Sequence, residues 1–224
     1  MSRRANHNIA GSNRREFRVT DSSSSRLGLL LLFVAVAGIS GCNGGSTAIT
    51  APKLDPAAVA TAAISEYDTN SDGAIDKKEA KLSALDPAAG WDGDGNGKIS
   101  EAEISDRLTR YEQISPGIQS MTCRVFYRGR PMEGAKVVFE PEAFLGDLVE
   151  EGTGITDIEG VAEMVAEDIV KEDPTLRGIR ASLYKVRITH ADVELPARYN
   201  TDTELFFELS PIEMIDPPVF KLKK

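Results

Sequence analysis

Asp68-Thr69-Asn70-Ser71-Asp72-Gly73-Ala74-Ile75-Asp76-Lys77-Lys78-Glu79 is followed, 24 residues after its start, by a second run of the same design. That run is Asp92-Gly93-Asp94-Gly95-Asn96-Gly97-Lys98-Ile99-Ser100-Glu101-Ala102-Glu103. Both place a side-chain oxygen at positions 1, 3 and 5, Gly at 6, Ile at 8 and Glu at 12. Side chains at alternate positions of a tight loop can converge on one point, and Gly73 and Gly97 permit the sharp bend between them.

Such a donor set suits a hard cation. Calcium takes about six to eight oxygens at roughly 2.3–2.6 Å, and a short loop meets that number only by wrapping around the ion. In the first loop the ligands are Asp68, Asn70, Asp72, the carbonyl of Ala74, Asp76 and Glu79. In the second they are Asp92, Asp94, Asn96, the carbonyl of Lys98, Ser100 and Glu103. Asp76 and Ser100 stand at position 9, which often ligates through water. A two-oxygen Glu at position 12 favours calcium over magnesium. Loop one carries four acidic ligands and loop two carries three, so loop one is expected to bind more tightly. Asp76-x-x-Glu79 and Ser100-x-x-Glu103 also have the form of a helix capping box. Ile75 and Ile99 are placed to pair across a short antiparallel bridge.

Over residues 54–112 the chain resembles the EF-hand family. Only residues 80–91 separate the loops, and Pro87 and Gly90 interrupt them, so at least one helix there must be short. The compact spacing is similar to that of dockerins, although those usually carry Asp at the last loop position. Asp55-Pro56 reads as N-cap and first residue of an entry helix running toward Tyr67. Ile104, Leu108 and Tyr111 recur at helical spacing after loop two.

Residues 1–26 hold six Arg against two acids, and a short apolar run, 27–39, follows. That is the layout of an export signal, too short to favour a stable membrane span. Ile39-Ser40-Gly41-Cys42 resembles a bacterial lipobox, which implies cleavage before Cys42 and lipidation of that residue. Arg14-Arg15-Glu16-Phe17 resembles part of a twin-arginine signal, and the export route stays open. The chain's formal charge is −9. With the basic leader set aside the remainder is more acidic still, which argues against nucleic acid and against charge-driven binding to anionic lipid head groups. With Cys42 acylated, Cys123 has no disulfide partner, and a buried small residue in a strand is the expected role.

After Gly117 the pattern alternates. Strands are predicted near 120–127, 135–140, 153–157, 160–165, 183–190, 203–209 and 219–223. Residues 166–180 are expected to form a solvated surface insertion. Arg128-Gly129-Arg130-Pro131-Met132-Glu133-Gly134-Ala135, the turn Thr156-Asp157-Ile158-Glu159-Gly160 and Tyr184-Lys185-Val186-Arg187-Ile188 resemble the carboxypeptidase-regulatory-like family, whose sandwich is similar to transthyretin. That resemblance speaks for fold and says little of activity. Catalytic signatures are missing: beyond the leader the one His is His190, with no zinc-ligand cluster and no phosphate-cradling loop.

The sequence thus predicts an α+β chain in separate domains, with a small all-α EF-hand pair followed by an antiparallel Ig/transthyretin-like β-sandwich. A disordered or helical N-terminal signal precedes them. The expected boundaries are 1–41 for the signal peptide, 42–53 for lipidated Cys42 and a flexible tether, 54–112 for the EF-hand pair and 118–224 for the sandwich. The expected function is non-enzymatic: a lipid-anchored protein of the bacterial cell envelope, facing periplasm or exterior, holding two Ca2+ ions structurally beside a structural or adhesive β-sandwich. The alternative is a calcium-dependent docking or carbohydrate-binding envelope protein, dockerin-like in its use of the loops. The membrane is the expected partner through the anchor, and a protein or glycan partner is left open.

Overall fold

The computed structural model describes residues 53–114, 117–213 and 216–224. The signal segment 1–41, Cys42 and the tether up to residue 52 lie outside them.

The chain enters through α1 (Pro56–Tyr67), where Pro56 sits in the first turn and the Asp55 carboxylate accepts the N–H groups of Ala57 and Ala58, both at 3.2 Å. The fixed φ of proline and the side-chain cap together start the helix. Next come the short strands β1 (Ala74–Asp76) and β2 (Lys98–Ser100), then α2 (Glu101–Ile114). Between the loops only two single 3₁₀ turns form, Ala80–Leu82 and Pro87–Ala89. The predicted crowding of residues 80–91 therefore removes a full exit helix from loop one altogether.

The remainder is β-rich: β3 (Ile118–Gln119), β4 (Met121–Tyr127), β5 (Arg130–Pro131), β6 (Ala135–Pro141), β7 (Gly152–Ile155), β8 (Val161–Ala166), α3 (Glu167–Glu172), β9 (Ile179–Arg180), β10 (Ser182–His190), β11 (Phe206–Leu209) and β12 (Val219–Leu222). All seven predicted strands are among them. The main sheet runs β11-β10-β6-β7-β8-β4-β12, with β5 paired to β4. Its steps are antiparallel except the last, where β12 runs parallel to β4 with Val219 opposite Arg124.

The sheet curls at β8. That strand pairs with β7 only at Ala166 and Val165, and with β4 from Val161 to Met164. At the crossing a Cβ on Gly154 would lie 2.5 Å from the Glu163 carbonyl oxygen, so the close approach depends on glycine. The curl brings both ends of the path onto one core. Phe139 of β6 lies 6.2 Å from Phe220 of β12, ring to ring. Four steps along a flat sheet would put those strands about 19 Å apart.

The expected fold class is overturned here. There is no separate all-α domain: the described residues belong to one compact, mostly β unit. Val59, Ala63, Ile104 and Leu108 share a buried cluster with Phe144, Leu145 and Leu183 from the sheet region. Tyr67 meets Phe144 edge to face at 6.1 Å. The physical reason is that two helices joined only by the loops and two single 3₁₀ turns cannot bury their apolar stripes alone, so they close over the outer face of β10. The sheet is also not antiparallel throughout, because of the β4–β12 step. Residues 166–180 differ too: α3 buries Ile169 and β9 buries Ile179 while pairing with β3, so this stretch is part of the core.

Candidate metal centre

Both loops are closed by backbone N–H groups donating to the predicted ligand carboxylates. In loop one Asp68 accepts from Asp72 at 3.1 Å and from Gly73 at 2.8 Å. Glu79 accepts from the N–H groups of Thr69 at 2.9 Å, Asn70 at 3.1 Å and Asp76 at 2.9 Å. In loop two Asp92 accepts from Gly95 and Gly97, both at 2.7 Å, and Glu103 accepts from Gly93 and Ser100, both at 2.8 Å. Gly73 and Gly97 hold φ of 84° and 85°, the left-handed bend their position requires.

The capping boxes form as read. Asp76 accepts the Glu79 N–H while Glu79 accepts that of Asp76. The Ser100 hydroxyl accepts the Glu103 N–H at 3.3 Å while Glu103 accepts that of Ser100. The position-7 residues, Ala74 and Lys98, open β1 and β2, and Ile75 stands opposite Ile99 with both side chains fully buried.

The loops differ in what they gather. Asp92, Asp94 and Glu103 each bring a carboxylate oxygen within 4.8 Å of the others, the one such acidic grouping among the described residues. Asn96 stands beside them, its amide donating to Asp94 at 2.9 Å and its carbonyl oxygen accepting from the Lys98 N–H at 2.8 Å. In loop one, one Asp72 oxygen accepts the Ala74 N–H at 3.2 Å and the other meets the Lys98 ammonium at 2.5 Å, so a side chain of loop two pairs with a predicted ligand of loop one.

Five of the loop carboxylates, Asp72, Asp76, Glu79, Asp92 and Glu103, are held ionised. The Lys98 hydrogen bond keeps Asp72 below the usual carboxylate range. Backbone N–H donors do the same for Asp76 and Glu79. For Asp92 and Glu103 desolvation pulls upward, and N–H donors from Gly97 and Ser100 among others outweigh it. Ionised carboxylates offer acceptor oxygens only, the state a hard cation needs. The all-oxygen donor set of both loops suits a hard cation on these grounds.

Glu142, fully buried, and Glu208, largely so, tie the helices and the segment between the loops to the sheet region, and sequence reasoning passed over both. Glu208 of β11 accepts the Trp91 indole N–H at 2.8 Å, Arg107 at 2.8 and 3.2 Å, and the Tyr111 hydroxyl. Arg107 also donates to the Gly90 carbonyl at 3.0 Å and lies 4.9 Å from the Trp91 ring. Trp91 thus packs beneath loop two. Glu142, fully buried, accepts the Tyr67 hydroxyl at 2.8 Å and the Ala84 N–H at 2.6 Å, with the Lys185 ammonium 3.3 Å away. A cation inside the apolar stripe of α2, Arg107 between Ile104 and Leu108, was the available signal for the first network. Nothing in an acidic chain singles out Glu142.

Cys123 is fully buried, and desolvation pushes its thiol up to about 12, which leaves it inert as a nucleophile. His190 contacts the Glu133 carbonyl through Nε2 at 2.9 Å and accepts the Asp192 N–H at Nδ1, a turn-locking arrangement. No protein-family model matches the chain, and neither the curated proteins nor the solved structures compared with it give a match.

Proposed function

We propose that the protein is a non-enzymatic calcium-binding lipoprotein of the bacterial cell envelope, with one ion in each of the two loops. The observation that carries this reading is the convergence of Asp92, Asp94 and Glu103 within 4.8 Å, in a loop whose glycine bend and capping box recur at the same positions in loop one. The EF-hand resemblance of residues 68–79 and 92–103 supports calcium over other hard cations. The lipobox resemblance at Cys42 supports the address.

Extracellular sites of this kind bind with dissociation constants of about 10⁻⁴–10⁻³ M. In a calcium-rich setting they stay filled, and each adds RT ln(1 + [Ca]/Kd) to stability. The ions would then staple the loops on which α1 and α2 are hung, rather than act as a switch. Calorimetric titration of the full chain with calcium is expected to show two ions per chain, with magnesium displacing neither at equal concentration. Absence of calcium-dependent heat at millimolar calcium would overturn the reading. Incorporation of labelled fatty acid, abolished by Cys42→Ser, tests the anchor separately.

A further inference from the structure

Overall charge conceals a concentration of cations at the β12 end of the sheet. Arg124 and Lys221 face outward on adjacent strands, placed by the pairing of Val219 with Arg124 and Lys221 with Phe126. Arg128 and Arg130 flank the β4–β5 turn, and Lys223 and Lys224 continue β12. All six are exposed, and among the described residues none forms an ion pair with a carboxylate. Beside three of them lies a hollow of about 480 Å³ whose apolar floor is Phe126 and whose rim is Arg128, Lys221 and Lys223; Leu222 at its base belongs to the sheet's core. Val219, with 47% of its surface exposed, extends the apolar part.

Lysines on an edge strand commonly guard against edge-to-edge pairing. That accounts for Lys221 and Lys223, but not for Arg124 and Arg128 or for the apolar floor. The combination of cationic rim and apolar floor matches the interface of a membrane, where phosphates meet acyl chains. We propose that this face docks on an anionic phospholipid surface, the rim cations meeting lipid phosphates and the floor meeting the acyl boundary. The negative total charge does not prevent this, because charges beyond about 8 Å are screened at physiological ionic strength. The inference rests on the envelope placement and is independent of calcium.

The full-length Cys42→Ser chain, which carries no acyl group, is floated with vesicles of phosphatidylglycerol and phosphatidylcholine, or of phosphatidylcholine alone. Binding to the anionic vesicles is expected to be at least about tenfold stronger, to fall with salt, and to persist with chelator. Arg128→Glu with Lys221→Glu and Lys223→Glu should remove most of the preference at an unchanged melting temperature. Should that variant not fold, Lys221→Gln with Lys223→Gln should weaken it severalfold. Equal binding to both vesicle types would overturn the proposal, and so would an anionic preference that the triple substitution leaves unchanged, since the leader's six Arg in residues 1–26 favour anionic vesicles too. So would loss on chelation, which marks calcium bridging, or retention on a sulfated polysaccharide without vesicle binding. Fatty-acid labelling of the unsubstituted chain reports on the anchor alone, so failure of the anchor and failure of this face are told apart.

Discussion

Loop one and loop two carry nearly the same twelve-residue pattern, yet the fold treats them differently. Loop two leads into the fourteen-residue α2 and gathers three carboxylates; loop one leads into a single 3₁₀ turn and has Asp72 paired with Lys98. Their attachments differ as well. Loop two is held by a buried ion pair, Arg107–Glu208, whose side chains are 3% and 9% exposed. Loop one's neighbourhood is held by Glu142, a carboxylate with one peripheral cation. A ligand pattern fixes what a loop can bind, whereas the strength and state of that loop depend on what lies beneath it.

The sharpest way to break this comparison is at Glu208. Glu208→Ala leaves the buried Arg107 charge with only the exposed Glu213 carboxylate, 3.8 Å away, and strips Trp91 and Tyr111 of an acceptor. Loss of one member of a buried pair costs about 3–5 kcal/mol. For a unit of this size that corresponds to a fall in melting temperature on the order of 10 °C. Because helices and sheet share one core, the loss should appear as one cooperative transition by both far-ultraviolet and tryptophan signals. Two separated transitions, with only the tryptophan signal displaced, would restore independent folding of residues 54–112.

The calcium stoichiometry sharpens it next. Glu79→Gln and Glu103→Gln each remove the closing ligand of one loop, so each should reduce titration from two ions to one. Charge count favours loop one, with four carboxylates against three. Lys98 cancels one of those four by pairing with Asp72. The two surviving sites should therefore bind with similar affinity. A clear disparity, with the Glu79→Gln variant much the weaker, would return the advantage to loop one.

Much of this molecule is legible in its chain. The alternation of Met121, Cys123 and Val125 marks β4, and the paired Ile75 and Ile99 mark the bridge between loops. What is not legible is how elements share a core. Leu183 reads as the opening of a strand; that it faces away from its neighbour Tyr184 and is buried under the helical segment is a fact of tertiary packing. Glu142 and Glu208 look like any other acid in a chain of net charge −9, because burial and partners more than forty residues away carry no local signature. The same holds for the cationic face, assembled from strands that are distant in sequence and adjacent in space.

Glu142 gives a smaller effect, read against pH. Burial pushes its carboxyl above the ordinary 4.5, with the Ala84 N–H, Tyr67 and Lys185 pulling back. The folded state therefore binds this proton more readily than the unfolded chain does. Its contribution is fully present below 4.5 and is lost as pH rises through the folded value. Glu142→Gln, which cannot ionise, should lose less stability than the unsubstituted protein between pH 4.5 and 7 in urea denaturation. Parallel curves for the two proteins would show that Lys185 neutralises the carboxylate in full.

The smallest effect belongs to Lys98. Its side chain and that of Asp72 are both partly exposed, 45% and 35%, so the pair itself adds little to folding. Its consequence is for binding. Lys98→Met keeps the stem that covers the loop, keeps the backbone carbonyl at position 7, and frees the Asp72 oxygen that Lys98 pairs with. Loop one should then gain about two- to fivefold in calcium affinity while loop two is unchanged, which separates two events that coincide in the unsubstituted protein. The gain should shrink as salt is raised, since salt already screens an exposed pair. A gain in loop two instead would mean that Lys98 acts through the general positive potential near its own loop and not through the bond to Asp72.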